Sequence, residues 1–206
     1  MYTVKGFSCG FRAAVCCAVM GFSDIATASS ILARYDFDSD AGGFENGPDF
    51  AAPGLNPTGW YAATGAVSDF AGTEGRALAA RNYLNGNALR FDIAISSGFR
   101  VDIDHFTFNH VASGSGPANW TLEIDGFEIA SGATPPSFGN VSGPAGLTDI
   151  SGILEIALHG FGAASNSGTY RVDDFELHGT VRAVPVGPSI AFLGSAMTLL
   201  RLMRRS

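Results

Sequence analysis

Ala88-Leu89-Arg90-Phe91-Asp92-Ile93-Ala94-Ile95 places Leu89, Phe91, Ile93 and Ile95 on one side of the chain and Arg90 and Asp92 on the other. A period of two belongs to a pleated strand with one face buried and one face wet. Val101-Asp102-Ile103-Asp104-His105-Phe106-Thr107-Phe108 follows the same rule through Ile103, then slips by one residue into Phe106 and Phe108. That slip predicts a β-bulge. Further runs repeat the pattern outward in both directions: Ile31 to Phe37, Trp120 to Ile124, Ile153 to Leu158, and Thr169 to Leu177. Many short alternating runs, Gly/Pro/Asn turn clusters and no amphipathic helix predict an all-β, antiparallel jelly-roll-type β-sandwich. Two turn-rich stretches, Ser39 to Pro57 and Ser131 to Gly146, are expected to be surface loops.

Outside this middle the chain changes character. Lys5 and Arg12 precede the apolar run Ala13 to Phe22, and Ala26-Thr27-Ala28 supplies a small-x-small cleavage site. This is the pattern of a secretory signal, with signal peptidase as its expected partner. At the other end, Val184-Pro185-Val186-Gly187-Pro188 leads into an uncharged run ending at Leu200, followed by Arg201, Arg204 and Arg205. The run is short against the usual ~20 residues of a spanning helix, so it would sit thin or tilted. The arginines are expected to stay on the cytoplasmic side. The organisation read from the sequence is a signal peptide over 1–28, a sandwich over 29–182, and a membrane segment with an arginine-rich end over 183–206.

Charge and cysteine usage narrow the function. Ser29 to Arg182 holds 18 Asp and Glu against 7 Arg and no Lys, and hence −11. Such a domain repels phosphate backbones, which argues against nucleic acid as a partner. Cys9, Cys16 and Cys17 all lie in the signal segment. The sandwich therefore has no disulfide framework, thiolate metal site or cysteine nucleophile.

Candidate sites are few. Asp36 and Asp38 lie in and after the first strand, and Asp173 and Asp174 lie in the last. If the terminal strands pair, Asp38, Asp173 and Asp36 are the candidate ligands of a structural calcium ion, which takes six to eight oxygens. Asp36-x-Asp38-x-Asp40 is not an EF-hand, because Gly47 occupies the twelfth position where a glutamate is required. Trp60, Tyr61 and Tyr83 are candidate sugar-stacking rings. Adjacent strand residues face opposite ways, so at most one of Trp60 and Tyr61 lines a given face. Glu123, Asp125, Glu128 and Glu155 carry no spacing that marks a glycosidase pair. No Gly-x-Ser-x-Gly elbow and no His-Glu-x-x-His motif occurs, and the four histidines are scattered.

The tail resembles the PEP-CTERM sorting signal of exopolysaccharide-producing Gram-negative bacteria: a proline motif (Val184, Pro185, Pro188), one membrane helix and a basic end (Arg201, Arg204, Arg205). The glutamate of the usual Val-Pro-Glu-Pro is absent here. The resemblance implies an exosortase-type sorting protease as partner, transient residence in the inner membrane, and final delivery to the cell surface or medium. Ser113 to Leu122 and Leu158 to Phe175 resemble segments of secreted bacterial sandwich domains that carry this tail, with a plan similar to carbohydrate-binding jelly rolls. The expectation is an exported, non-catalytic envelope or extracellular-matrix protein associated with exopolysaccharide. The alternative is a carbohydrate-binding module with a defined glycan site, and the third reading is a glycan-active enzyme.

Overall fold

The computed structural model describes residues 29–39 and 43–184. Thirteen strands follow one another among the described residues: β1 (Ser30–Tyr35), β2 (Phe50–Ala51), β3 (Leu55–Pro57), β4 (Tyr61–Ala62), β5 (Ser68–Ala71), β6 (Arg76–Ala80), β7 (Asn87–Ile95), β8 (Phe99–Ala112), β9 (Asn119–Ile124), β10 (Phe127–Ala133), β11 (Gly139–Ile150), β12 (Ile153–Phe161) and β13 (Tyr170–Ala183). A single 3-10 turn, Tyr83–Asn85, is the only helical element among the described residues. The first sheet runs β11-β8-β13-β1-β2, with β6 also on β13 and β5 on β6. The second runs β10-β9-β12-β7-β3, with β4 also on β7. The named pairs are antiparallel. The expected antiparallel sandwich is what the chain forms.

Alternation explains the core. Leu89, Phe91, Ile93 and Ile95 of β7 point inward, as do Val101, Ile103, Phe106 and Phe108 of β8. The phase slip in β8 is a bulge: Ile103 pairs with Gly179 and His105 with His178, which leaves Asp104 as the extra residue. Between the sheets lies an aromatic cluster, with Trp60 against Phe91 at 4.6 Å, Tyr35 against Phe91 at 4.8 Å and Trp60 against Phe175 at 5.1 Å between ring centres. Burial of rings this large is the main source of stability in a sandwich of this size.

Both expected loops contain strand: β2 and β3 lie within Ser39 to Pro57, and Ser131 to Gly146 takes in the end of β10 and the first part of β11. Gly139–Ile150 forms β11, the edge of the first sheet, pairing with β8 from His110 down to Val101. An edge strand tolerates Pro144 because its outer N–H side needs no partner, and the register shifts after Pro144 and Leu147 absorb the irregular residues. Gly143 lets the strand lie close over the core, since a Cβ at that position would lie 3.2 Å from the Phe106 ring.

Strand directions define two poles. β7 and β8 meet at the turn Ser96–Gly98, β11 and β12 meet at Ser151–Gly152, and β13 ends beside them, all at one lower pole. β12 ends at the upper pole, where the loop 162–169 leads into β13. Among the described residues no helix is long and apolar enough to cross a membrane. The signal segment 1–28, Asp40, Pro185, Pro188 and the arginines at 201, 204 and 205 lie outside the described residues.

Candidate functional site

Two features stand out: a polar strip on the outer face of the second sheet, and an oxygen-lined cradle where β13 changes partners.

The strip follows from parity. Trp60 and Tyr61 are neighbours, and β4 lays Tyr61 against Arg90 of β7. Trp60 turns into the core at 1% exposure, whereas Tyr61 stands outside at 39%. The segment before β4 is clipped to β7, because Thr58 N–H donates to Asp92 O at 2.8 Å and Asp92 N–H donates to Thr58 Oγ1 at 3.0 Å. Across the sheet, Tyr61 is in register with Arg90, then Ala157 of β12, then Glu123 of β9. Tyr61 Oη lies 3.5 Å from Asp92 Oδ2. Arg90 Nη1 donates to both oxygens of Glu155 at 3.1 Å. His159 Nε2 stands 3.2 Å from Glu123 Oε2, and its ring is parallel to that of the exposed Phe161, 6.0 Å away.

The face therefore carries an aromatic ring at each end of a diagonal, with the Arg90 guanidinium and the His159 imidazole between them and the carboxylates of Asp92, Glu155 and Glu123 flanking it. From strand spacing and rise the two rings are on the order of 16 Å apart. Flat rings offer apolar contact to C–H surfaces, while the central groups accept and donate hydrogen bonds to hydroxyls. Of the three candidate stacking rings, Tyr61 alone is available. Trp60 and Tyr83, each 1% exposed, are core residues: Trp60 fills the aromatic cluster, and Tyr83 packs edge-on against Tyr170 at 5.9 Å. Phe161, Arg90 and His159 went unnoticed as site residues. Extending the β12 alternation two more steps, through His159 to Phe161, exposes the signal.

The cradle arises from a handover. β1 pairs with β13 over Phe175–Gly179, and β6 takes the same side of β13 over Tyr170–Val172. At the junction β13 bulges, with Asp174 at φ 48°. The turn 72–75 between β5 and β6 inserts there, with Asp38 on one side and Asp173 on the other. Thr73 N–H donates to Asp173 Oδ2 at 2.6 Å, and Arg76 N–H donates to Asp38 Oδ1 at 2.7 Å. The point where a Cβ on Gly72 would lie is walled by Asp173 Oδ2 at 2.6 Å, Arg76 O at 2.7 Å and Glu74 O at 2.8 Å. A Cβ on Gly75 would overlap both oxygens of Asp38.

Asp173 is 1% exposed and has no cationic partner among the described residues, and burial pushes its carboxyl up to about 6. A carboxylate and two carbonyls crowded along one edge of Gly72 are hard oxygen donors of the kind a divalent cation takes, although the point they wall lies one bond length from the Gly72 Cα and is not itself a cation position. Asp36 does not belong to it. Its Oδ1 accepts from Asp38 N–H at 3.0 Å, and its own N–H donates to Asp49 Oδ2 at 2.6 Å. The all-carboxylate set Asp36, Asp38 and Asp173 is not assembled, and among the described residues no group of three or more His, Cys, Asp or Glu is spaced to hold a metal.

The two segments that carried the resemblance to secreted sandwich domains meet at the upper pole. Ser113 and Thr169 exchange bonds, Ser113 N–H donating to Thr169 O at 3.0 Å and Thr169 N–H to Ser113 Oγ at 2.9 Å. Ala164 N–H donates to Ser115 O at 3.1 Å.

No family model and no curated protein matches the chain. Several solved structures are similar to it in fold. The CBM22-1 xylan-binding domain from Paenibacillus barcinonensis Xyn10C is 16% identical, with 75% of this chain and 97% of that one covered and a TM-score of 0.48. The K3 adhesin domain of Lys-gingipain from Porphyromonas gingivalis is 12% identical, covering 73% and 99%, with a TM-score of 0.43. A family 11 carbohydrate-binding module from Clostridium thermocellum is 14% identical, covering 72% and 96%, with a TM-score of 0.39.

Proposed function

We propose that this chain is an exported, non-catalytic carbohydrate-binding sandwich that grips a polysaccharide along the strip from Tyr61 to Phe161. The observation that carries this reading is the pairing of two exposed rings with a hydrogen-bonding row on one face of one sheet. A solvated strand face needs no exposed ring at either end. Glu155 is engaged by both of its oxygens with Arg90, which favours holding hydroxyls over proton transfer at that carboxylate.

The signal-like start and the tripartite tail support export and a transient place in the inner membrane, followed by sorting to the surface or medium. The acidic surface favours neutral glycans, or anionic exopolysaccharide bridged by divalent cations. The same reading includes a calcium ion beside Gly72, with Asp173 and the carbonyls of Glu74 and Arg76 as its donors and Asp38 on the adjoining turn. Its part is to tie the β5–β6 turn to β13.

The test is native affinity electrophoresis of the sandwich in gels containing xylan, mixed-linked β-glucan, galactan or the exopolysaccharide of the producing cell. Retardation in at least one gel is expected, lost in Tyr61→Ala and Phe161→Ala and kept in Leu84→Ala, whose side chain is exposed elsewhere. Equal migration in all gels would remove the carbohydrate-binding reading and leave a purely structural envelope module.

A further inference from the structure

The last residue described, Val184, is pinned. Its N–H donates to Gly98 O at 2.7 Å, so the chain leaves the sandwich fastened to the β7–β8 turn at the lower pole. The uncharged run Val186–Leu200 begins two residues later. Two extended residues reach about 7 Å. The run's 15 residues rise about 22 Å as a helix, against about 30 Å of bilayer hydrocarbon. A run that already falls short of the core has no residues to lend to a stalk. The polar zone outside the hydrocarbon is only about 5–7 Å deep on each side.

The pole has the surface such a position requires. It holds a cavity of about 420 Å³ lined by Ile95, Ser97, Phe99, Arg100, Gly152 and Val184. Ile153 stands beside it at 71% exposure. Phe127, 69% exposed, tips the β9–β10 hairpin that points the same way, about 10 Å nearer the middle by strand rise. Single exposed apolar residues are ordinary on any surface; Ile153 and the cavity adjoin the point where the apolar tail departs, and Phe127 stands farther off on the same side. The charges nearest the exit are matched. Arg182 Nε and Nη2 meet Asp102 at 2.9 and 3.1 Å, Nη2 lies 3.5 Å from Asp149, and Arg100 Nε lies 3.8 Å from Asp149. Two arginines against two aspartates make this corner locally neutral in a domain that is otherwise strongly acidic.

We propose that the lower pole, formed by Ser96–Arg100, Ser151–Ile153 and Val184, lies in the polar zone of a phospholipid bilayer whenever the tail is inserted. Its partner is the lipid surface itself. Contact at this pole holds the sandwich upright, with the upper pole directed away from the membrane and the Tyr61–Phe161 strip facing sideways. The proposal rests on the reading of Val186–Leu200 as a membrane segment.

The sandwich has no cysteine, which permits clean single-site probes. The full chain, with Cys9, Cys16 and Cys17 replaced by serine, is reconstituted into phosphatidylcholine vesicles. A fluorophore is attached at Ser97→Cys, Ser151→Cys or, at the upper pole, Ser167→Cys, all exposed positions. Iodide quenching in the water and quenching by brominated lipid are then measured, and carbonate extraction reports whether the tail is inserted. Several-fold weaker iodide quenching and clear lipid quenching at Ser97 and Ser151, with neither effect at Ser167, are expected. Ala196→Arg, which breaks the apolar run, should make the three sites alike. A carbonate-resistant chain whose poles quench equally overturns the proposal and leaves the tail reading intact. A chain released by carbonate overturns the tail reading and the proposal with it.

Discussion

One step along the chain separates Trp60, sealed among Tyr35, Phe91 and Phe175, from Tyr61, the exposed ring of the strip. The pleat sends successive side chains to opposite faces, so the same backbone hydrogen bonds that fix the core ring fix the outer one. Two buried ionisable groups oppose each other at this scale. Burial lowers His110 to about 4, while its Nδ1 shares a hydrogen bond with Tyr170 Oη at 2.9 Å. Its folded value lies below the unfolded one, so its contribution is full above about 6.5 and is lost as pH falls towards 4, up to about 3 kcal/mol. Asp173, raised to about 6 by burial, has the opposite sign. Its contribution is full below about 4 and is lost as pH rises through 6, by a similar amount of about 3 kcal/mol. In chelator the two slopes oppose each other between pH 4 and 6. His110→Gln should uncover a rise in melting temperature on acidification from pH 7 to 5. A flat profile in that variant would show that Asp173 is not strained in the folded state.

At the scale of elements, glycine marks the places where backbone meets backbone. Gly168 sits so close to Ser115 that a Cβ would overlap its carbonyl, and this contact joins the loop 113–118 to the approach of β13. Gly168→Ala should destabilise the fold by about 2 kcal/mol or more, read from denaturant midpoints. Gly114→Ala, in the same loop with nothing within 4 Å and no left-handed φ, should change stability by less than about 0.5 kcal/mol. Equal effects would mean that the close approach is not required. The β8 slip at Asp104 is legible in the sequence, because a bulge shifts the alternation by one. The strand Gly139–Ile150 was not. Its Gly and Pro content reads as turn, and only the open edge of β8 recruits it into a sheet. Ala-rich β6 escaped for the same reason, its place being set by β13 rather than by propensity.

For the whole molecule, the two long strands β8 and β13 organise everything else. They pair from Tyr170–Ala112 at the upper pole to Ala183–Phe99 at the lower one, and the cradle lies where β1 gives way to β6 along β13. A cation bound there ties three elements together. Calcium at a hundredfold excess over its dissociation constant should add about 2.7 kcal/mol and raise the melting temperature by roughly 5–10 °C. An unchanged midpoint on adding chelator to calcium-loaded protein would reject the metal. The sequence by itself determined the fold class, most of the inward-facing residues and the acidic surface, because period-two alternation and net charge are local or additive properties. It also pointed to Asp38 and Asp173, since acids at the two ends of a sandwich are brought near one another when the terminal strands pair. What only the tertiary structure decided was that Asp36 stays out of the cradle while the Glu74 and Arg76 carbonyls enter it, that Phe161 rather than Trp60 accompanies Tyr61, and that the chain exits pinned to the pole. Each of these depends on which residues of distant strands fall into register, and neighbours along one strand carry no record of that.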